Sequence, residues 1–391
     1  MIRVKLIFCL CMILQFIACS GKQQSDSVVE PLVVTDSLRC LDITLDAADS
    51  FDGLENYVKW DSYIKLDAEP LLAKIRTIRI CGERIYILDR LHQLVCYDMT
   101  GKSLFNIHAI GNGPGEYSEI TAFAVNTQTK EIAIYDGLQR KLHFYSSVNG
   151  RIRKSVGLEK PMPSEMVFWD NRYFYNNRDY GNYPNDKQLH YSLLSSVDGV
   201  HMDKYYFVHN ELEEKYQFNP SLFTFYHNDN KLYYCKNFDY TVYEISKDSL
   251  MARYEMNLPN PLNLEKLAYN LDEWELIKSS YSFGITNVYE CKDILYFRFC
   301  NDGYFWNVLY DLKQGRQICC VKSMLDEPTE SIPLFDIVDG VYKNKFFGVL
   351  TPGIIDYYKE KFKMNYSDVF GDYDSESDNP IIVFYEVVYG R

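Results

Sequence analysis

The chain is short of positive charge: 41 lysines and arginines stand against 54 aspartates and glutamates, a formal net charge of −13. Nucleic-acid binders carry a basic face, so that class of partner is excluded. Long hydrophobic runs are also missing. The N-terminal apolar stretch, Leu6 to Ala18, holds thirteen residues and is broken by Gln15, too short to span a bilayer. There is no G-x-S-x-G nucleophile elbow and no H-E-x-x-H zinc helix. The seven histidines (His92, His108, His143, His190, His201, His209 and His227) are scattered without metal-ligand spacing, and are expected to line strands or face solvent. No two cysteines form a C-x-x-C pair.

What is present begins with a leader. Arg3 and Lys5 precede the apolar stretch, as in a signal peptide. The stretch ends Phe16-Ile17-Ala18-Cys19-Ser20-Gly21, which resembles a bacterial lipobox with Cys19 as the lipidated first mature residue, although Phe16 stands where leucine is usual. The expected organisation is a signal peptide over residues 1–18, a lipidated tether over 19–56 and a single domain over 57–391. The tether opens polar and free of aromatics, as a spacer should. Its short apolar pieces, Val28 to Val34 and Ile43 to Leu45, let part of it lie against the domain. Eight cysteines remain in the mature chain, most within strand patterns, and the expectation is small buried hydrophobes in preference to a disulfide framework.

The domain is aromatic-rich, with 34 tyrosines and 23 phenylalanines among 391 residues, which favours strands. Six times a polar pair leads into a short aromatic or β-branched run, at Glu83-Arg84, Lys130-Glu131, Asn171-Arg172, Asn230-Lys231, Lys292-Asp293 and Asn344-Lys345. A second series of turns keeps step, at Thr100-Gly101, Asn149-Gly150, Asp198-Gly199, Asp248-Ser249 and Gln314-Gly315, spaced by 49, 49, 50 and 66 residues. Two hairpins per unit of about 50 residues means four strands per unit, the blade of a β-propeller. The fold expected is all-β: a six-bladed β-propeller of four-stranded blades with short helical insertions. One insertion, Leu264, Leu267, Leu271 and Trp274 at helical spacing behind Asn263, accounts for the long interval; another covers Ile354 to Phe362. Tyr63 to Leu66 and Ile381 to Val388 are the strands available to close the ring.

The stretch Gly111-Asn112-Gly113-Pro114-Gly115-Glu116-Tyr117 resembles the G-x-G-P-G-E-Y signature of the six-bladed β-propeller lipoproteins abundant in gut-dwelling Gram-negative bacteria, relatives of NHL-type propellers. Tyr63-Ile64-Lys65-Leu66, Ile87-Leu88-Asp89 and Asn379-Pro380-Ile381-Ile382-Val383-Phe384-Tyr385 are similar too. The resemblance implies a cell-envelope lipoprotein, held to the outer membrane by its lipid anchor with the periplasmic face favoured. Its propeller then acts as a non-catalytic binding or scaffold module for a glycan, peptide or envelope protein. Related six-bladed propellers that are lactone hydrolases or lyases with a central-channel metal give the alternative, but no convergent Glu, Asn, Asp or His set can be assembled from the sequence.

Site residues follow from the loops. The glycine stretch is no dinucleotide fingerprint, since it contains Pro114 and runs into a strand instead of a helix. It is expected to be an inter-blade crossing that sets Glu116 and Tyr117 at the channel mouth. Arg178 in a Gly/Pro/Asn-rich loop, and Arg298 with Trp306, complete the ligand-binding expectation: Arg suits carboxylates and Trp offers a stacking face. No metal site or cofactor is expected. Asp372, Asp374, Glu376 and Asp378 resemble the start of a calcium loop but lack its glycine and distal Glu, so a solvated acidic loop is expected there. Asp89 and Asp136 end equivalent strands and are expected to cap turns.

Overall fold

In the computed structural model, residues 32–34, 37–45, 54–158, 165–177, 191–208, 223–246, 249–263, 273–324, 338–362, 370–371 and 373–388 are described. Cys19, Arg178, Asp372 and residues 264–272 lie outside them. Period-2 sequences between tight turns form hairpins because alternate side chains enter a core on either face of the sheet. Two short strands, β1 (Leu32–Val34) and β2 (Arg39–Asp42), precede β3 (Val58–Lys65). A first four-stranded sheet holds β4 (Ile75–Cys81), β5 (Arg84–Asp89), β6 (Leu94–Asp98) and β7 (Ser103–Ile107). A second holds β8 (Ala122–Asn126), β9 (Glu131–Asp136), β10 (Lys141–Ser146) and β11 (Ile152–Gly157). A third holds β12 (Glu165–Trp169), β13 (Arg172–Asn176), β14 (Tyr191–Ser196) and β15 (Lys204–Val208).

Next come β16 (Phe225–Asn228), β17 (Lys231–Cys235), β18 (Thr241–Ile245) and β19 (Ser249–Asn257), then a short helix α1 (Glu273–Ile277). The helix expected from Leu264 to Trp274 is thus seen only in its last turn and beyond. A further four-stranded sheet holds β20 (Phe283–Cys291), β21 (Ile294–Asn301), β22 (Tyr304–Asp311) and β23 (Arg316–Met324). The chain ends with β24 (Gly340–Tyr342), β25 (Lys345–Leu350), helix α2 (Pro352–Phe362) and β26 (Ile381–Val387). The architecture is an all-β propeller of four-stranded antiparallel blades. Four blades are separate sheets, and the remaining strands form one ten-stranded sheet. That sheet runs β19-β18-β17-β16 and β24-β25-β26-β3, the two halves meeting through one parallel pair, Asn228 with Val341.

The two chain ends pair: β26 lies antiparallel to β3 from Ile381 opposite Lys65 to Val387 opposite Val58. The driving force is apolar. Ile382 and Phe384 of β26 join Phe347, Leu66, Ile85, Ile87, Val95 and Tyr97 in one buried cluster, which ties the closing strands to the first sheet. Asn379, fully buried, fixes the loop from β3 to β4: its amide group donates to the carbonyls of Asp67 (2.7 Å) and Pro70 (2.9 Å) and accepts from the Leu72 amide (2.8 Å).

The segment expected as a tether is partly structured. β1 and β2 add in parallel to the outer edge of β19, and Leu41 and Ile43 are buried in the neighbouring core. An uncovered edge strand invites aggregation, so this addition protects β19. All eight described cysteines are free, six of them buried. Burial pushes the Cys81 thiol up to about 11, which keeps it protonated.

Candidate functional site

In an antiparallel blade the turns alternate between two ends, so the inner strands of successive blades all begin at the same end. Inner strands β4, β12, β16, β20 and β24, with parts of β21, β22, β25 and β26, enclose a cavity of about 430 Å³. Its wall carries Arg76 and Arg79 from β4, Glu165 from β12, His227 from β16, Arg298 from β21, and Asp339 just ahead of β24. Tyr226, Tyr289, Phe305 and Tyr385 supply aromatic surface.

The carboxylates are committed to the scaffold. Glu165 accepts from the Thr224 amide and hydroxyl (both 2.8 Å) and the Phe225 amide (3.3 Å), stitching β12 to the start of β16. Asp339 accepts from the Val349 amide at 2.8 Å. The guanidinium groups are propped at the wall by backbone carbonyls: Arg76 donates to Ile120 (2.8 Å) and Arg79 to Phe123. Arg79 also lies over the Phe123 ring (4.7 Å to its centroid), and Arg298 over the Phe305 ring (4.2 Å). Each guanidinium carries five N–H donors. With three arginines against two carboxylates, the wall is cationic inside an acidic chain.

Burial lowers the pKa of Arg79, with Glu165 pulling the other way, and the group stays charged at any working pH. Burial, and secondarily the charge of Arg79, pushes His227 down to about 3, so its imidazole is neutral. The cavity thus offers fixed cations, a neutral histidine and tyrosine hydroxyls.

The sequence expectation for the site is corrected at several points. Of Glu116, Tyr117, Arg178, Arg298 and Trp306, only Arg298 lines the cavity, and Arg178 lies outside the described residues. Tyr117 is fully buried between the first two blades; its hydroxyl donates to the carbonyls of His92 (2.7 Å) and Ile107 (3.0 Å), and so anchors the crossing. Glu116 turns back on its own loop and accepts from the Gly113 amide at 2.8 Å. A Cβ at Gly111 would stand 2.0 Å from a Glu116 carboxylate oxygen, so a side chain there would displace the Glu116 carboxylate from the Gly113 amide. Trp306 follows Phe305 in β22 and therefore points to the other face of its blade, where its indole N–H donates to the Asn301 carbonyl at 3.3 Å.

Arg76, Arg79, Glu165 and His227 were missed. A signal existed, since β4 reads Ile75-Arg76-Thr77-Ile78-Arg79-Ile80, placing two cations among the isoleucines of an inner strand. Asp89 and Asp136 do cap turns: Asp89 accepts from the Leu91 (2.9 Å) and Gln93 (3.1 Å) amides, and Asp136 from the Gln139 amide (2.9 Å). In the acidic loop, Asp374 accepts from the Glu376 amide (3.1 Å) and Ser377 hydroxyl (2.6 Å), and Asp378 pairs with Lys65 at 2.9 Å. Among the described residues no three His, Cys, Asp or Glu side chains converge to hold a metal ion.

Comparison with known proteins places this geometry in a family. The crystal structure of BF0058 from Bacteroides fragilis NCTC 9343, whose name proposes that it is exported, superposes with a TM-score of 0.69 at 17% identity. The match covers 90% of this chain and 99% of that one. A member of the DUF4221 family from Bacteroides vulgatus ATCC 8482 aligns with a TM-score of 0.48 at 10% identity, over 85% of this chain and 100% of that one. No curated protein matches the chain. Residues 44–386 match the model of a family described as a domain of unknown function, DUF4934. With that match running from ahead of β3 into the last strand, the chain belongs to the DUF4934 family.

Proposed function

We propose that this protein is a non-catalytic binding lipoprotein of the cell envelope. Cys19 carries its lipid anchor, the periplasmic side of the outer membrane is its station, and its ligand is a small carboxylate-bearing molecule such as an acidic sugar or a peptide end. The observation that carries the reading is the cationic cavity of about 430 Å³. Its size falls in the usual range for small-molecule sites, about 300–1,000 Å³. Arg79 and Arg298 come from different blades, are held over Phe123 and Phe305, and suit a planar carboxylate. The tyrosines suit hydroxyl and amide groups of the remainder. A leader ending Ala18-Cys19 and a neighbour whose name proposes export support the address.

The reading includes a blade count of six, of the NHL-like kind. The ten-stranded sheet is counted as two blades, because its halves share only the Asn228–Val341 pair and each contains four strands paired antiparallel in succession, β16 to β19 in one and β24, β25, β26 and β3 in the other, with β1 and β2 added at the edge of β19.

Calorimetric titration of uronic acids, neutral sugars and dipeptides into the protein, and into Arg79→Gln and Arg298→Gln, tests the ligand. Acidic ligands should bind, and each variant should weaken them at least about tenfold, the loss expected for a charge-assisted contact. Equal binding of neutral and acidic ligands, or full affinity in both variants, would refute it. For the anchor, Cys19→Ser should abolish labelling by a fatty-acid probe and release the protein from membranes.

A further inference from the structure

Most polar groups on the cavity wall are committed to the scaffold. Glu165 already takes three donors, the Thr224 amide and hydroxyl and the Phe225 amide. The Tyr226 hydroxyl lies 2.7 Å from the Phe223 carbonyl and 2.9 Å from the Thr286 hydroxyl. The Asn287 amide group donates to the Val338 carbonyl (3.1 Å) and accepts from Thr286 (3.0 Å). Arg76 is engaged by the carbonyls of Ile120 (2.8 Å) and Thr121 (3.4 Å).

Two cavity groups beside Arg79 are not committed. His227 projects from β16 with its ring tilted 65° against Trp169, centroids 5.9 Å apart. Among the described residues no hydrogen bond reaches either of its ring nitrogens. Tyr289, from β20, packs edge-on against Tyr226 at 5.6 Å, and among the described residues its hydroxyl has no partner either. Both groups are neutral: burial and the charge of Arg79 keep a proton off His227, and burial keeps the Tyr289 phenol protonated. Arg79 stands close enough to both to interact electrostatically. One of its N–H groups is held by the Phe123 carbonyl, which leaves further donors for a ligand.

We propose, building on the carboxylate-binding reading above, that the ligand is a polyhydroxylated acid. Arg79 takes its carboxylate, and His227 and Tyr289 hydrogen-bond the hydroxyls beside it. A hydroxyl both donates and accepts, so it pairs with a neutral imidazole and with a phenol in either orientation. An ammonium in its place only donates, is repelled by Arg79, and finds Glu165 already occupied. An acid with no hydroxyl there displaces water and leaves His227 and Tyr289 unpaired, the situation that makes a polar site reject a deoxy analogue. The cavity therefore selects hydroxy acids over amino acids and over plain fatty acids.

Titration calorimetry on the full chain tests this with four acids of one skeleton length: gluconate, 2-deoxygluconate, 2-amino-2-deoxygluconate and hexanoate. Gluconate should bind about tenfold more tightly than each of the other three. Tyr289→Phe, which removes a single oxygen, and His227→Leu should each weaken gluconate about tenfold and leave hexanoate unchanged. His227→Gln, which keeps a donor and an acceptor, should recover part of the loss. Unchanged hexanoate binding also shows that the variants are folded. If the four acids bind equally, or both variants keep the parent's affinity for gluconate, the assignment to His227 and Tyr289 falls while carboxylate binding stands. If none of the four binds, or if Arg79→Gln binds all of them as the parent does, the carboxylate reading falls and this inference with it.

Discussion

Replacing Ile382 by alanine tests how the propeller is closed. Ile382 is fully buried in β26, opposite Ile64 of β3 and Val349 of β25, within the cluster that reaches Ile85, Ile87, Val95 and Tyr97 of the first blade. Removing three carbons from so dense a site should cost about 2–5 kcal/mol, transfer and cavity contributions together. Ile382→Val, which leaves a smaller void, should cost about 1 kcal/mol. A domain has only about 5–15 kcal/mol in hand, so the alanine variant should fold but sit close to the edge. In urea, with a denaturant slope of about 3 kcal/mol/M or more for a chain this long, the midpoint should fall by about 1 M. Because β3 and β26 come from opposite ends of the chain, the loss should lower one cooperative transition, not peel away one blade. Val148→Ala, at a position 51% exposed, is the control and should shift the midpoint by no more than about 0.5 kcal/mol equivalent. The reasoning is refuted if Ile382→Ala matches that control, or if most of the signal keeps the wild-type midpoint while a small early transition appears.

Three further expectations concern single side chains. Glu290 accepts from Lys231 (2.8 Å), Tyr233 and Tyr254 (2.7 Å); burial alone would raise its pKa, but these bonds hold it below the ordinary value, so Glu290→Gln should cost about 3 kcal/mol at pH 7. Because the folded pKa is depressed, this contribution is present above the unfolded value of about 4.3 and is lost as pH falls through the folded one. The gap between wild type and variant in urea should therefore narrow below pH ~4, and a gap constant with pH would contradict the assignment. Gly111→Ala should cost about 1–3 kcal/mol by driving the Glu116 carboxylate off the Gly113 amide, and adding Glu116→Ala should recover part of that loss in a double-mutant cycle; strict additivity would separate the two residues. His227, with its pKa pushed down to about 3, should show flat imidazole NMR shifts from pH 8 to 5, and its resistance to protonation should cost stability as pH falls below the unfolded value of about 6.5; a midpoint near 6.5 in the folded protein would mean an open, well-hydrated cavity.

Local chemistry alone decided much of this molecule. Alternating Ile, Tyr and Val between turns such as Thr100-Gly101 and Asn149-Gly150 can satisfy both backbone hydrogen bonding and burial only as hairpins, and the spacing of those turns sets the four-strand unit. Asp89 and Asp136 were legible as caps because a carboxylate two or three residues before an exposed amide acts within its own turn. Tertiary structure decided everything that depends on which blades face one another. Glu116 and Tyr117 sit next to each other in a conspicuous motif, yet one caps its own loop and the other fills the seam between two blades. Arg298 and Trp306 stand on adjacent rungs of one hairpin, opposite Asn307 and Phe299 respectively, yet opposite sides of the pleat send one to the cavity and the other away. Arg79, Glu165 and His227 meet because three inner strands, far apart in sequence, share one axis. Convergence of that kind has no local spacing to read, since the distances between these groups are set by the packing of whole blades and not by the chain between them.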